Sequence, residues 1–260
     1  MTKFKTTALL CSLAFLLSSC LFKYRGPVTS YNGPAFFDND ISYQPKPISA
    51  DSLHHGTYVS ATIINAQGAA NDKDNLNAGQ LNLGMAYTLK HFNFAYGAFG
   101  ALGDYHNGTV PDTQAHYFNN KSIGFVGSRA SIDYYVTVGR VDIRIIGLEV
   151  AYSHEFGDYA AFRRAVYGQP YFYTNTRTDL FTWGGSTEVA WYGRDPSFQY
   201  GFRLFVGQTN SNLGKFSYDY DEYPQTFSGS LAYFMQIKNV FMVAEVNGFG
   251  GHFTLGYRFQ

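Results

Sequence analysis

The chain has 260 residues, of which 18% are aromatic and 15% charged, and its 19 basic and 19 acidic residues give a formal net charge of zero. A protein without a basic surplus has no broad positive surface for phosphates, so we expect no nucleic-acid partner. The residues after the N-terminal segments are too few for two obvious domains, and we expect one.

The N-terminus is typical of an export signal. Lys3 and Lys5 precede an apolar run over 8–17, and the small residues Ser18 and Ser19 follow it. This order of basic, apolar and small residues is found in the signal peptides of exported proteins. We therefore predict a signal peptide over 1–19.

The four residues Leu17-Ser18-Ser19-Cys20 resemble the lipobox of bacterial lipoproteins. The resemblance implies that Cys20 receives covalent lipid, including palmitate, and becomes the mature N-terminus. The alternative is an ordinary signal peptide with an incidental cysteine. Apart from the lipid on Cys20, we expect no cofactor.

Residues 20–55 are predicted to form a lipidated linker. Pro27, Pro34, Pro45 and Pro47 interrupt any periodic pattern in this stretch, because proline fixes φ and removes a backbone donor. We expect a Pro-rich periplasmic linker that lies against the base of the domain that follows it.

From residue 56 onward, large apolar residues alternate with small or polar ones. In 81–89 one face carries leucine, methionine and tyrosine, and the other carries asparagine, glycine, alanine and threonine; 198–207 and 252–259 repeat this pattern. A period of two indicates β-strands. A soluble sandwich or lipocalin-like barrel would expose its polar face to water, but this face is rich in glycine, alanine and serine and has few lysines and glutamates. The pattern favours a transmembrane antiparallel up-and-down β-barrel over 56–260.

Short and long connections alternate along the predicted barrel, which is typical of outer-membrane barrels with short periplasmic turns and long external loops. Ten strands are predicted, with eight as the alternative and nine if 240–259 is a single strand. A phase slip at Ile145 and Ile146 predicts a β-bulge. The predicted strands are 56–67, 79–90, 92–103, 122–137, 140–154, 179–192, 197–208, 225–237, 240–247 and 250–259.

The chain end resembles the C-terminal signal by which bacterial outer-membrane barrels are recognised for insertion. The matching residues are Phe253, Leu255, Tyr257 and Phe259, although Gln260 follows the last aromatic residue. The resemblance covers about 56–260 and names no subfamily. It implies contact with the barrel-insertion machinery during biogenesis and with outer-membrane lipid afterwards.

Charged residues on the predicted inner face are balanced, with five acids and five bases. In a narrow barrel, charges need partners because an unpaired buried charge is costly. We predict a salt-bridge network that plugs the lumen; a narrow charge-lined channel is the alternative. The network comprises Lys90, Arg129, Asp133, Asp142, Arg144, Glu149, Glu188, Arg203, Glu245 and Arg258.

No catalytic residue and no metal site are predicted. Ser153 and His154 are adjacent, and neighbouring residues of a strand point to opposite faces, so they cannot form a catalytic dyad. His54 and His55 lack a third ligand. The lipid-modifying enzyme that remains as an alternative would depend on His154 or His252.

The connection over 155–179 is a candidate partner loop, because aromatic residues and arginine are enriched at protein interfaces. A loop that folds over the barrel mouth is an equal alternative. An acidic cluster at 219–222 could bind Ca²⁺, although a solvated loop fits it better. The candidate interface residues are Phe162, Arg163, Arg164, Tyr167, Tyr171, Phe172 and Tyr173.

Together these patterns predict an outer-membrane β-barrel lipoprotein of a Gram-negative bacterium with a structural or partner-binding role. We expect an accessory subunit of an outer-membrane assembly, secretion or uptake complex, with other outer-membrane proteins as partners. A small-solute channel is the first alternative. Because the loop pattern puts the start of the first strand on the periplasmic side, we expect the lipid on Cys20 in the periplasmic leaflet.

Overall fold

The computed structural model describes residues 31–32, 42–49, 54–67, 75–106, 120–168, 173–195, 197–209, 227–247 and 250–259. Within these ranges ten strands close into one barrel, and two short strands pair outside it. The elements in chain order are β1 (Tyr31–Asn32), β2 (His55–Gln67), β3 (Asn75–Thr88), β4 (Phe92–His106), β5 (Lys121–Val138), β6 (Val141–Phe156), α1 (Asp158–Val166), β7 (Tyr173–Thr174), β8 (Asp179–Tyr192), β9 (Phe198–Thr209), β10 (Phe227–Ile237), β11 (Val240–Asn247) and β12 (Gly250–Phe259).

Each barrel strand pairs with the next barrel strand of the chain, and β12 pairs with β2 to close the ring. This seam is antiparallel and runs from Phe259 opposite Thr57 to Gly250 opposite Ala66. The predicted up-and-down barrel of ten strands is confirmed, and the alternatives of eight and nine strands are wrong. The predicted bounds of β3 and β4 were too short at their loop ends.

The two ends of the barrel differ in their connections. At one end, the short-turn end, strands are joined by the short connections 89–91, 139–140, 193–197 and 238–239. The strand β2 begins and β12 finishes at this end. The connections 68–74, 107–120, 157–178 and 210–226 lie at the other, the long-loop end, together with the brief link 248–249. The predicted alternation of short and long connections is therefore present.

Large apolar side chains point outward from the barrel wall. Exposed and buried residues alternate along β3, and Ile63, Leu81 and Leu102 are 70%, 69% and 69% exposed. In water this surface would be unfavourable in proportion to its apolar area, whereas in a bilayer it meets acyl chains. The wall is that of a transmembrane barrel, not of a soluble one.

Among the described residues, a belt of aromatic ring pairs lies on the outer surface near the short-turn end. Such belts occur where a barrel wall crosses the membrane–water interface, because tyrosine and tryptophan combine an apolar ring with a polar O–H or N–H group. Ring pairs in this belt are Phe92 with Tyr134, Trp191 with Tyr200, and Tyr257 with Phe259.

The predicted bulge at Ile145 and Ile146 is present in β6. The pairing of β6 with β8 shifts register between Arg144 and Gly147, and the two isoleucines are 52% and 59% exposed. An extra residue on one strand lets two consecutive side chains face the same side. The bulge keeps Arg144 inside the barrel while both isoleucines face lipid.

The helix α1 was not predicted and lies in the connection at the long-loop end. Tyr159, Phe162 and Val166 share its buried face, at the spacing of an amphipathic helix. The Tyr159 ring stacks on that of Tyr105 with 4.3 Å between centroids. Phe162 and Val166 belong to the same buried cluster as Phe125. The helix therefore packs against the ends of β4 and β5. Among the described residues, no helix combines the length and apolar character needed to cross a bilayer.

The described part of the N-terminal stretch lies inside the barrel. Residues Ser42–Ser49, here called the inner segment, are extended without helix or strand pairing, and 42–48 are buried. We expected the linker to lie against the barrel base; instead this part fills the lumen. Pro45 and Pro47 favour an extended backbone for themselves and for the residues before them, and a single extended chain fits the interior of a small barrel.

Candidate functional site

Tyr43 of the inner segment is bound on three sides by the barrel wall. Its backbone N–H donates to Glu245 Oε2 at 3.0 Å, and its hydroxyl donates to Glu188 Oε1 at 3.1 Å. Its ring stacks on that of Phe234, with 4.7 Å between centroids and 12° between planes. These contacts join β8, β10 and β11 to one residue of the inner segment.

Gln44 occupies space left by a glycine. Its amide Nε2 donates to the carbonyl oxygen of Tyr96 at 2.9 Å. A Cβ atom at Gly84 would collide with the same amide, so Gly84 permits the close approach of the inner segment to β3.

Lys46 places a positive charge in the lumen. Its Nζ lies 2.6 Å from Asp133 Oδ2 and 4.0 Å from Glu188 Oε2. The side chains of Lys46 and Asp133 are 2% and 1% exposed, so both charges are out of contact with bulk water. Each charge of this ion pair depends on the other, because neither is otherwise solvated.

The C-terminal half of the inner segment is bound near the short-turn end. The carbonyl oxygen of Pro47 accepts hydrogen bonds from Thr88 Oγ1 at 2.8 Å and from Arg144 Nη2 at 3.2 Å. The backbone N–H and the hydroxyl of Ser49 both donate to the Asp142 carboxylate at 2.6 Å. Wall side chains thus satisfy backbone groups that no strand ladder pairs.

Charged residues of the wall also pair with one another inside the lumen. Arg203 lies 2.6 Å from Glu149 and 3.3 Å from Glu245, and Arg144 pairs with Glu188. Arg129, at the other end of the inner segment, donates to the carbonyl oxygen of Ser42 at 2.9 Å. The wall and the inner segment therefore share one network of charges and hydrogen bonds.

Nine of the ten predicted network residues face the interior, and Lys90 does not: it is exposed on a turn at the short-turn end. Lys90 continues the alternation beyond the last residue of β3, Thr88, where no ladder holds its side chain inward. Lys46 takes its place, so the balance of five acids and five bases is preserved only when the inner segment is counted. Arg258, also predicted, donates from Nη2 to the carbonyl oxygen of His55 at 3.1 Å.

Many interior side chains are buried, whereas Arg129 and Ser131 on the inner face of β5 are partly exposed. Thr182 and Thr209, towards the long-loop end, are both 0% exposed, and Arg203 and Arg144 are each 1% exposed. A water-filled channel would expose the side chains along its path. These four side chains therefore line no water-filled path.

The candidate partner loop divides into buried and exposed residues. Phe162 and Arg163 are buried; Arg163 Nη2 lies 2.8 Å from Glu155 Oε1, and Nη1 donates to the carbonyl oxygen of Asn175 at 2.8 Å. Arg164 and Tyr167 are exposed. This part of the loop packs on the barrel mouth and leaves two of the predicted residues free of the core. Tyr171 and Phe172 lie outside the described residues, and Tyr173 begins β7.

The remaining predicted residues fall outside the lumen. Phe253, Leu255, Tyr257 and Phe259 are 44–52% exposed on the outer face of β12. Cys20 and the acidic cluster at 219–222 lie outside the described residues.

The histidines that the structure describes do not gather into a site. Ser153 is buried and His154 exposed, so they lie on opposite faces of β6 as expected, and His154 Nδ1 is 2.9 Å from Asp179 Oδ1. His252 is 6% exposed on the inner face. Among the described ranges, no group of three or more His, Cys, Asp or Glu side chains is placed to hold a metal ion.

An antiparallel barrel with an apolar outer wall and a filled, charge-paired interior defines a transmembrane β-barrel with an internal plug. No protein-family model matches the chain, and no curated protein matches it either.

Solved structures with a similar backbone are barrels of bacterial outer membranes. The beta domain of the Bordetella autotransporter BrkA shares 10% identity over 80% of this chain and 100% of its own, with a TM-score of 0.43. An outer-membrane channel from Pseudomonas putida F1 shares 8% identity over 83% of this chain and 100% of its own, with a TM-score of 0.41. Neisserial surface protein A shares 10% identity over 79% of this chain and 96% of its own, with a TM-score of 0.37. At these identities the similarity concerns the fold alone.

Proposed function

We propose that the protein is a closed, non-catalytic barrel of the bacterial outer membrane that serves as an accessory subunit of an assembly, secretion or uptake complex, and that carries lipid on Cys20. The observation that carries this proposal is the occupied lumen. Tyr43, Lys46 and Ser49 bind wall residues at successive heights. Because the interior is used for the barrel's own packing, a partner would bind outside the lumen, and we place this contact at the long-loop end.

Partner binding at that end would use the exposed part of the loop around α1. Arg164 and Tyr167 are exposed there, and arginine and tyrosine are frequent anchors of protein interfaces. Arg163 and Phe162 beneath them are buried, so the exposed pair stands on a packed support. We propose other outer-membrane proteins as partners, and the contact would then form in the plane of the membrane or at its surface.

Co-purification from detergent-solubilised outer membranes, followed by mass spectrometry, tests this proposal. We expect a stable companion with the wild type, and reduced recovery of it with Arg164→Ala. Arg194→Ala is the matched control, because Arg194 is an exposed arginine at the short-turn end and should leave recovery unchanged. A monomeric species without a companion would contradict the proposal.

A second candidate function is a gated channel for small solutes, in which the inner segment is the gate. The observation that favours it is that the ten-stranded ladder closes without the inner segment, so the segment could leave while the barrel stays intact. Single-channel conductance of Gly84→Leu, which crowds Gln44, tests it. Gly79→Leu on the same strand is the control, since a Cβ there meets nothing within 4 Å. Current from the Gly84 variant alone would support the gate; silence in every protein would exclude it.

A further inference from the structure

We infer that the chain passes through its own barrel from the long-loop end to the short-turn end, so that the residues before Tyr31, including Cys20, lie on the outer side of the outer membrane. The inference goes beyond the proposed function and does not depend on any partner. It is drawn from three groups of contacts, two inside the barrel and one at its long-loop end.

The lower part of the path is set by Ser49. Its hydroxyl contacts Asp142 at 2.6 Å and accepts from Thr137 Oγ1 at 3.0 Å. Both residues adjoin the tight turn at 139–140 that joins β5 to β6. The chain then continues to His55, where β2 begins at the same end. Residue 49 is therefore at the short-turn end.

The middle of the path is set by the other end of the inner segment. Lys46 contacts Asp133, five residues from the end of β5. Ser42 accepts from Arg129, which is near the midpoint of that strand. Going backwards from Ser49 to Ser42, the chain thus rises from the short-turn end to the middle of the barrel.

The upper part of the path is set by β1. Tyr31 and Asn32 pair in parallel with Tyr173 and Thr174, which belong to the connection between β6 and β8 at the long-loop end. The ten residue steps from Asn32 to Ser42 can cover at most about 33–36 Å, which is enough to reach from the middle of a barrel to beyond its rim. The three groups of contacts therefore lie in one order from the short-turn end to the long-loop end.

A return of the chain to the other side is physically unfavourable. A second pass would need room in a lumen whose side chains are already buried against the inner segment, or it would expose unpaired backbone groups to lipid. Because long loops of outer-membrane barrels face the exterior, the N-terminal residues should be at the cell surface. Acyl chains on Cys20 would then enter the outer leaflet, opposite to the leaflet expected from the position of β2 alone.

Epitope accessibility on intact cells tests the inference. A tag inserted between residues 23 and 24 should bind antibody on intact cells, as should a tag in the loop at 213. A tag in the turn at 238–239, at the short-turn end, should bind only after the outer membrane is permeabilised. The inference is overturned if the N-terminal tag behaves like the turn tag while the loop tag is accessible.

Cysteine pairs in the untagged chain give a second, independent measurement. Ser49→Cys with Thr137→Cys replaces two hydroxyl oxygens 3.0 Å apart, and Asn32→Cys with Thr174→Cys replaces register partners of a strand pair, a spacing that a disulfide can bridge. We expect both bridges in the same molecule. Ser49→Cys with Thr187→Cys is the control, since Thr187 is exposed on the outer face and should not cross-link. Failure of the 32–174 bridge in molecules that form the 49–137 bridge would overturn the path.

Discussion

Replacing Lys46 by methionine is the sharpest test of the inner segment, because it removes one charge and keeps most of the side-chain volume. Lys46 Nζ is 2.6 Å from Asp133 Oδ2, and the two side chains are 2% and 1% exposed. Removing one member of a buried ion pair leaves the other charged and unsolvated, which typically costs about 3–5 kcal/mol. We expect the free energy of unfolding of Lys46→Met to fall by an amount in this range.

Urea unfolding in detergent, followed by tryptophan fluorescence, measures the change. The double variant Lys46→Met/Asp133→Asn should recover most of the lost stability, because it no longer buries an unpaired carboxylate. Lys90→Met is the matched control: Lys90 is an exposed lysine, and its removal should have no measurable effect. The reasoning is refuted if Lys46→Met is as stable as the wild type, or if the double variant is no more stable than the single one.

Further variants address the other contacts of the lumen and the mouth. Tyr43→Phe keeps the stack on Phe234 but removes the hydroxyl that donates to Glu188, so the free energy of unfolding should fall by about 1–3 kcal/mol, and an unchanged urea midpoint would contradict that hydrogen bond. Arg163→Met removes the guanidinium that contacts Glu155; protease cleavage near α1 should become faster on intact cells, and an unchanged rate would show that the helix does not depend on this contact.

The wall of the barrel was predictable because its signal is local and repeated. Alternation of large and small residues along ten strands places the apolar face outward wherever the phase is read correctly, and even the bulge at Ile145 and Ile146 follows from a break in that phase. The ends of strands were less predictable. Lys90 shows the reason, since the alternation in the sequence continues past Thr88 but the ladder does not.

The lumen was only half predictable, because its second half comes from a distant and aperiodic stretch. Tyr43 contacts Glu245 across 202 positions of sequence. No spacing of residues within 42–49 predicts such a distant partner. Proline at 45 and 47 indicated an extended chain but not its location. One compositional signal was available: the glycine at 84 faces the lumen and leaves room that Gln44 occupies.

The pairing of β2 with β12 closes the barrel around the inner segment, and this closure has a topological consequence. The ladder of ten strands is continuous around the residues 42–49, so these residues are ringed by covalent chain and hydrogen bonds of the same molecule. If acyl chains on Cys20 make the N-terminus wider than the lumen, the protein is a molecular rotaxane: the lipid is the stopper and the barrel is the ring. The inner segment must then be in place before β12 pairs with β2. Afterwards the N-terminal residues can leave the lumen only if the chain is cut or the β2–β12 pairing is broken.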